Sequence, residues 1–113
     1  MEDRFLQQLK KGALEMLVLC AVCQGPTYGY ELLGRLRERS GGLFTLKEGT
    51  LYPILYRLED DGFIRATWTA GEGRSAPKKM YTATDRGREE SVRRAELWRT
   101  FVESVERCRE GMQ

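Results

Sequence analysis

The sequence contains no histidine. That removes the side chain most used for proton transfer near neutral pH and the commonest ligand of transition metals. Cysteine is scarce, with only Cys20, Cys23 and Cys108. An odd number in a chain whose start carries no secretory leader argues for reduced thiols rather than a disulfide framework. Cys20-Ala21-Val22-Cys23 has the spacing of a redox or zinc pair, but no second ligand pair accompanies it. It sits in an apolar helical run, where free cysteine packs as a small hydrophobe, so core packing is expected, with a thiol switch as the alternative. Long hydrophobic runs are also missing. The longest, Met16–Cys23, is far short of the roughly 20 residues a membrane helix needs. Met1-Glu2-Asp3-Arg4 opens with acids and no apolar segment follows directly, so no signal peptide is read. A cytoplasmic protein without membrane contact is expected.

Charge of one sign is not in excess. Nineteen basic residues face seventeen acidic ones, for a net +2. Any affinity for a polyanion must therefore come from locally placed cations. Catalytic constellations are equally thin. There is no Ser/His/Asp set and no metal cluster, and Gly71-Glu72-Gly73 falls among turn formers without a following helix, unlike a phosphate-binding loop. No enzyme, cofactor or metal is expected.

What is present is a chain of 113 residues with an ordinary globular composition, enough for a core without staples. A first helix is predicted from about Phe5 to Cys23, with Leu6, Leu9, Ala13, Leu14, Leu17, Val18 and Ala21 at helical period. Gln24-Gly25-Pro26 ends it. Thr27 is the expected N-cap of a second helix to about Arg39, whose apolar positions are Tyr28, Leu32, Leu33 and Leu36 and whose Arg35, Arg37, Glu38 and Arg39 are expected in solvent. Ser40-Gly41-Gly42 is a stop signal.

The third helix is the informative one. Leu51, Leu55 and Leu58 form a buried stripe, while the other face carries Gly49, Tyr52, Pro53, Tyr56 and Arg57. Tyrosine hydroxyls and Thr50 suit phosphate oxygens, Arg57 adds charge and Gly49 allows close backbone approach. The plain alternative is a helix packed on another protein layer. Pro53 costs a hydrogen bond inside a helix, so a start near Gly49, with Pro53 close to the first turn, is expected. Lys47 and Thr50, at the helix start, are the candidate base readers.

Beyond Gly62 the period changes. Phe63–Thr69 and Lys79–Thr82 are rich in β-branched and aromatic residues, and 70–77 is full of turn formers, which predicts a β-hairpin with a long tip, the tip and the start of the second strand carrying Arg74, Lys78 and Lys79. Thr84 caps a last helix to about Glu110. There Trp98, Phe101, Val105, Cys108 and Met112 recur in steps of three and four, broadened by Ala95 and Val102. Seven arginines offset seven acids between Asp85 and Glu110, so the other faces are solvated. A second copy of the chain is the economical partner for that seam.

The order helix, helix, helix, hairpin, helix predicts a mainly α fold with a β-hairpin: a winged helix-turn-helix over residues 1–83 and a long C-terminal dimerisation helix over 84–113. In that arrangement the third helix enters a DNA groove and the hairpin lies along the backbone. The expected DNA-contacting residues are Tyr28, Lys47, Gly49, Thr50, Tyr52, Tyr56, Arg57, Arg74, Lys78 and Lys79. A winged-helix module used only for protein contact is the alternative.

The residues also resemble a known family. Leu9-Lys10-Lys11-Gly12-Ala13-Leu14-Glu15, Gly25-Pro26-Thr27-Tyr28-Gly29-Tyr30-Glu31-Leu32, Gly49-Thr50-Leu51-Tyr52-Pro53 and Tyr81-Thr82-Ala83-Thr84-Asp85-Arg86-Gly87 occur in the order found in PadR transcriptional regulators of bacteria. The resemblance spans about residues 5–90. Its wing is a departure, since Ala76 and Pro77 dilute the usual run of Gly and Arg. The resemblance implies a homodimeric repressor of the small subfamily, with Leu6, Leu9, Ala95, Trp98, Phe101, Val102, Val105, Cys108 and Met112 at the dimer interface. Trp98 has two readings: a large apolar residue of the dimer seam, or, by similarity to small relatives that hold flat drugs between paired tryptophans, the site of a planar aromatic effector.

Overall fold

The computed structural model describes residues 3–71, 73 and 75–112. The described chain forms α1 (Arg4–Val22), β1 (Thr27–Tyr28), α2 (Gly29–Arg39), α3 (Glu48–Asp60), β2 (Ile64–Thr69), β3 (Lys78–Ala83) and α4 (Asp85–Arg109). Asp3 starts α1 by accepting from the amides of Phe5 and Leu6 at 2.8 and 3.1 Å, which satisfies two of the helix's orphan donors. The apolar stripes of α1, α2 and α3 converge on one core: Val18, Leu19 and Val22 meet Leu32 and Leu36, and both meet Leu51, Ile54, Leu55 and Leu58.

The sheet is antiparallel in the order β1-β3-β2. Its third strand was not expected from the sequence. Two residues are too few for a periodic signal, and β1 exists because Thr27 and Tyr28 pair with Tyr81 and Met80. This pairing corrects the expected role of Thr27. It is buried in the sheet, and Tyr28 is the N-cap residue of α2, its amide bonded by the Glu31 carboxylate at 2.9 Å. Arg35, expected in solvent, instead donates to the Ala21 carbonyl at 3.2 Å and the Thr27 hydroxyl at 2.8 Å, tying α2 to α1 and β1.

The third helix begins at Glu48, beside the expected start at Gly49, but Pro53 is its sixth residue and so lies in the second turn rather than close to the first. The carbonyl that loses its partner belongs to Gly49, an exposed residue, so the cost falls outside the core. At the other end, Gly62 takes a φ of +79° while its amide and that of Phe63 bond back to Glu59 and Leu58. That left-handed closure suits glycine and turns the chain directly into β2.

Thr84 caps α4 as expected, its hydroxyl accepting from Gly87 at 3.0 Å. Gly87 is buried against the Phe63 carbonyl, where a Cβ would collide with backbone. The guanidiniums of Arg86 and Arg94 lie 5.1 and 5.4 Å from the Phe63 ring centre, and Glu90 bonds both Arg93 and Arg94. The first turns of α4 are thereby fixed to the body and pack on α1. From Glu96 onward every described residue is exposed, including Trp98, Phe101, Val102 and Val105. Met112 lies beyond the helix end, after Gly111 with φ +75°, so it does not extend the helical seam.

Core packing of the cysteine pair is overturned for Cys20, which is exposed beside Leu17, Leu36, Arg39 and Phe44 at the α1/α2 boundary. Only one side of α1 there is covered by the core. Cys23 is half-buried, with its sulfur 3.9 Å from the Gly87 carbonyl, and burial pushes its thiol pKa up. Among the described residues no helix is long and apolar enough to cross a membrane, and no group of three or more histidine, cysteine or carboxylate ligands is gathered.

Candidate nucleic-acid interface

The buried stripe of α3 determines what the helix shows outward. With Leu51, Ile54, Leu55 and Leu58 turned inward, Lys47, Glu48, Gly49, Thr50, Pro53, Tyr56 and Arg57 are exposed on one continuous surface. A Cβ added at Gly49 would meet nothing within 4 Å among the described residues, so none of them restricts approach there. Lys47 is the N-cap residue of α3, exposed and without a side-chain bond to the first-turn amides.

Tyr52 is a different case. It is half-buried, and its hydroxyl lies against the backbone of Gly29, the first residue of α2. Any side chain at position 29 would displace that ring. Burial, then Glu48 and Tyr56, raise its phenol pKa. Tyr52 therefore links α3 to α2 as much as it faces outward. Its ring centre is 6.3 Å from that of Tyr56.

Strand β3 carries the nearest cations. Lys79 reaches over the Tyr56 and Tyr81 rings at 5.2 and 5.7 Å and sits 3.7 Å from Glu59. Lys78 lies 5.8 and 5.4 Å from the Tyr28 and Tyr30 ring centres. Beneath them Tyr81 is fully buried, and its hydroxyl has no hydrogen-bond partner among the described residues. Burial, then the nearby Tyr52, Tyr56 and Glu59, push its pKa up to about 12, so it is neutral throughout the working pH range.

The structure thus brings Lys47, Gly49, Thr50, Tyr52, Tyr56 and Arg57 onto one helix, and packs Lys79 of the wing strand beside it. Arg57 is not a free cation: its Nε pairs with Glu15 of α1 at 2.7 Å. Arg74 lies outside the described residues. Sequence reasoning missed Tyr30, Glu15 and Glu59. Tyr30 is two residues from Tyr28, a spacing that puts side chains on different sides of a helix. The two rings stack because Tyr28 is still extended at the helix entrance.

A second surface separates from this one. Trp98 and Phe101, with ring centres 6.2 Å apart, face Leu9, Gly12 and Met16 across a groove of about 670 Å³ between α1 and α4. Glu15, the partner of Arg57, lines the same groove. Leu9, Trp98, Phe101, Val102, Val105 and Met112 are all exposed, as is Cys108, while Leu6 and Ala95 are half-buried.

Residues 18–93 match the model of the transcriptional regulator PadR-like family. The chain is similar to the negative transcriptional regulator PadR of Bacillus subtilis, 35% identical over 77 residues, covering 68% of this chain and 42% of that protein. It thus spans less than half the length of that curated relative. Among solved structures it is similar to a PadR family transcriptional regulator from Eggerthella lenta, with a TM-score of 0.81 and 31% identity over 92% of this chain and 88% of the other. It is also similar to Bacillus subtilis PadR in complex with operator DNA, with a TM-score of 0.63 and 34% identity over 71% of this chain and 45% of the other.

Proposed function

Because the chain belongs to the PadR-like family of transcriptional regulators, we propose that it binds double-stranded DNA as a homodimeric repressor, acting in the cytoplasm by binding rather than by catalysis. In this reading residues 1–83 are the DNA-binding unit and 84–113 the dimerisation helix. The observation that carries it is the exposed face of α3, with Lys47, Gly49, Thr50 and Tyr56 together and the wing strand packed beside them. A solved relative, Bacillus subtilis PadR, is in complex with operator DNA, which supports DNA binding. Thr50 and Tyr56 suit phosphate oxygens, and Lys47 and Thr50, at the helix start, are the base readers.

The projecting half of α4 supports the dimer in this reading. Its exposed Trp98, Phe101 and Val105 form an apolar surface that water disfavours. Burying these side chains from two copies contributes several kcal/mol at about 25 cal/mol per Å². A pseudo-palindromic operator with half-sites about one helical turn (~34 Å) apart requires the two copies to hold their α3 helices at that spacing. Trp98 forms one wall of the α1/α4 groove, the position for a planar aromatic effector that releases DNA by changing that spacing.

Gel shifts on the DNA upstream of the chain's own gene, with a random duplex as control, test the reading. Salt-dependent binding with preference for the upstream DNA is expected, and equal affinity for both duplexes counts against a specific operator. For the effector, a Trp68→Phe protein leaves Trp98 as the fluorescent reporter. A panel of planar aromatics that leaves both emission and operator affinity unchanged removes that part of the proposal.

A further inference from the structure

Lys78 and Lys79 are neighbours on one strand, and successive side chains of a strand point to opposite faces. Their surroundings differ accordingly. Lys79 is half-buried, over the Tyr56 and Tyr81 rings and 3.7 Å from the Glu59 carboxylate. It joins the wing strand to the last turns of α3, and its charge already has a partner. Lys78 is exposed and has no carboxylate partner among the described residues. Its ammonium is instead 5.8 Å from the Tyr28 ring centre and 5.4 Å from that of Tyr30. Those rings are 5.8 Å apart and parallel to within 4°. The pair is well placed to hold Lys78, since Tyr28 belongs to β1 and stands opposite Met80, two residues along β3. Tyr30 remains 57% exposed.

We propose that Tyr28, Tyr30 and Lys78 form a clamp for a phosphate of the nucleic-acid backbone, with Lys78 as the ionic contact and the tyrosine pair as its platform. Lys79 is a positioning residue that braces the wing strand against α3. Both assignments rest on the reading that the chain binds duplex DNA.

The physical reason lies in the two kinds of partner. An aromatic face attracts an ammonium without neutralising it, so Lys78 keeps its full charge and its donors for a phosphate oxygen. A carboxylate neutralises the ammonium, and a phosphate would have to displace Glu59 to reach Lys79. A lysine already resting on rings also has less side-chain freedom to lose on binding than one in open solvent. Tyr30, whose hydroxyl suits phosphate oxygens as well, becomes part of the DNA surface, a role that nothing in the third helix or the wing tip indicates.

Titration of the full chain with a fluorescein-labelled upstream duplex and a random duplex, over a salt series, separates the roles. Lys78→Gln should lower the slope of log affinity against log salt by about one on both duplexes, with about tenfold weaker binding at low salt. Lys78→Arg should restore the slope. Tyr30→Leu, which keeps apolar bulk without the ring, should weaken binding a few-fold and leave the slope in place. Lys79→Gln should weaken binding with an unchanged slope and a lowered thermal midpoint, while Lys78→Gln melts like the wild type. An unchanged slope in Lys78→Gln overturns the clamp, and so does an equal loss of slope in Lys79→Gln. A wild-type chain that binds neither duplex overturns the DNA reading itself, a result distinct from both.

Discussion

Helices α3 and α4 both expose aromatic side chains, but they expose them differently. On α3 the rings are tied down. Tyr52 rests on the Gly29 backbone, and Lys79 covers Tyr56 from the neighbouring strand. On the projecting half of α4, Trp98 lies beside Phe101 of its own helix and lines the groove with α1, and Val105 is exposed beyond it. A braced polar surface suits the proposed binding of a charged polymer, because its donors are already oriented and little ordering remains to be done. A bare apolar surface gains only when water is removed from it, as docking of a second copy would do in the proposed dimer. The two halves of α4 repeat the contrast within one helix, since the first is fixed by Gly87, Phe63 and the Glu90 arginine pairs.

The sharpest way to break the comparison is a charge on the bare surface. Phe101→Arg should weaken self-association by more than about 30-fold, the scale of a buried aromatic anchor, and DNA affinity should fall with it. Sedimentation velocity at micromolar concentration reads the first effect. An unchanged dimer would mean that the apolar half of α4 has another use. The anchored half responds in stability instead. Gly87→Ala forces a methyl onto the Phe63 carbonyl and should cost about 1–3 kcal/mol in thermal or urea unfolding, without changing the monomer–dimer equilibrium of the folded protein.

A smaller effect probes how firmly the α3 surface is tied. Arg57 is held by Glu15, so Glu15→Gln should free it and strengthen binding to random duplex a few-fold, with a salt slope steeper by about one. Arg57→Ala alone should leave the slope near that of the wild type, because Glu15 already neutralises it, and should abolish the steepening when added to Glu15→Gln. If Glu15→Gln leaves the slope unchanged, Arg57 faces α1 and not phosphate. The smallest effect is on the acid limb of stability. The Arg93 hydrogen bond, helped by Arg94, holds the Glu90 carboxyl at about 2, against an ordinary 4.5. A folded-state pKa below the unfolded one means that this contribution is complete above about pH 4.5 and disappears as the pH falls through about 2. Glu90→Gln should therefore flatten the loss of stability across that window, by a modest amount because Arg93 is largely in solvent. Urea midpoints measured from pH 5 to pH 2 check it.

Much of this architecture is legible in the chain because the signals are local. Leu51, Leu55 and Leu58 repeat at helical spacing, Gly62 closes a helix in a conformation other residues resist, and Thr84 stands where a capping hydroxyl must be. The heptad steps of α4 likewise indicate a seam, although Met112 falls past the helix end. The errors have a common origin. Thr27 has the composition of a cap, and only its pairing with Tyr81 across the fold makes it a strand residue. Arg35 has the composition of a surface residue, and only the approach of the α1 carbonyl end makes it a half-buried donor. Cys20 sits in an apolar run, but the side of α1 that carries it is left uncovered.

The same division runs through the functional surfaces. The sequence by itself determined which helix carries tyrosines opposite its leucines, where the hairpin begins, and that the last helix has an apolar side too wide for a free helix. Each of these is a matter of period and composition over a few turns. Tertiary structure alone decided that Tyr52 leans on Gly29, that Arg57 is paired with Glu15, and that adjacent lysines have unlike partners. Those outcomes depend on residues 23, 42 and 20 positions apart meeting in space, as Gly29 and Tyr52, Glu15 and Arg57, and Glu59 and Lys79 do. A charge in a sequence states only its sign. What it does depends on the group the fold places beside it.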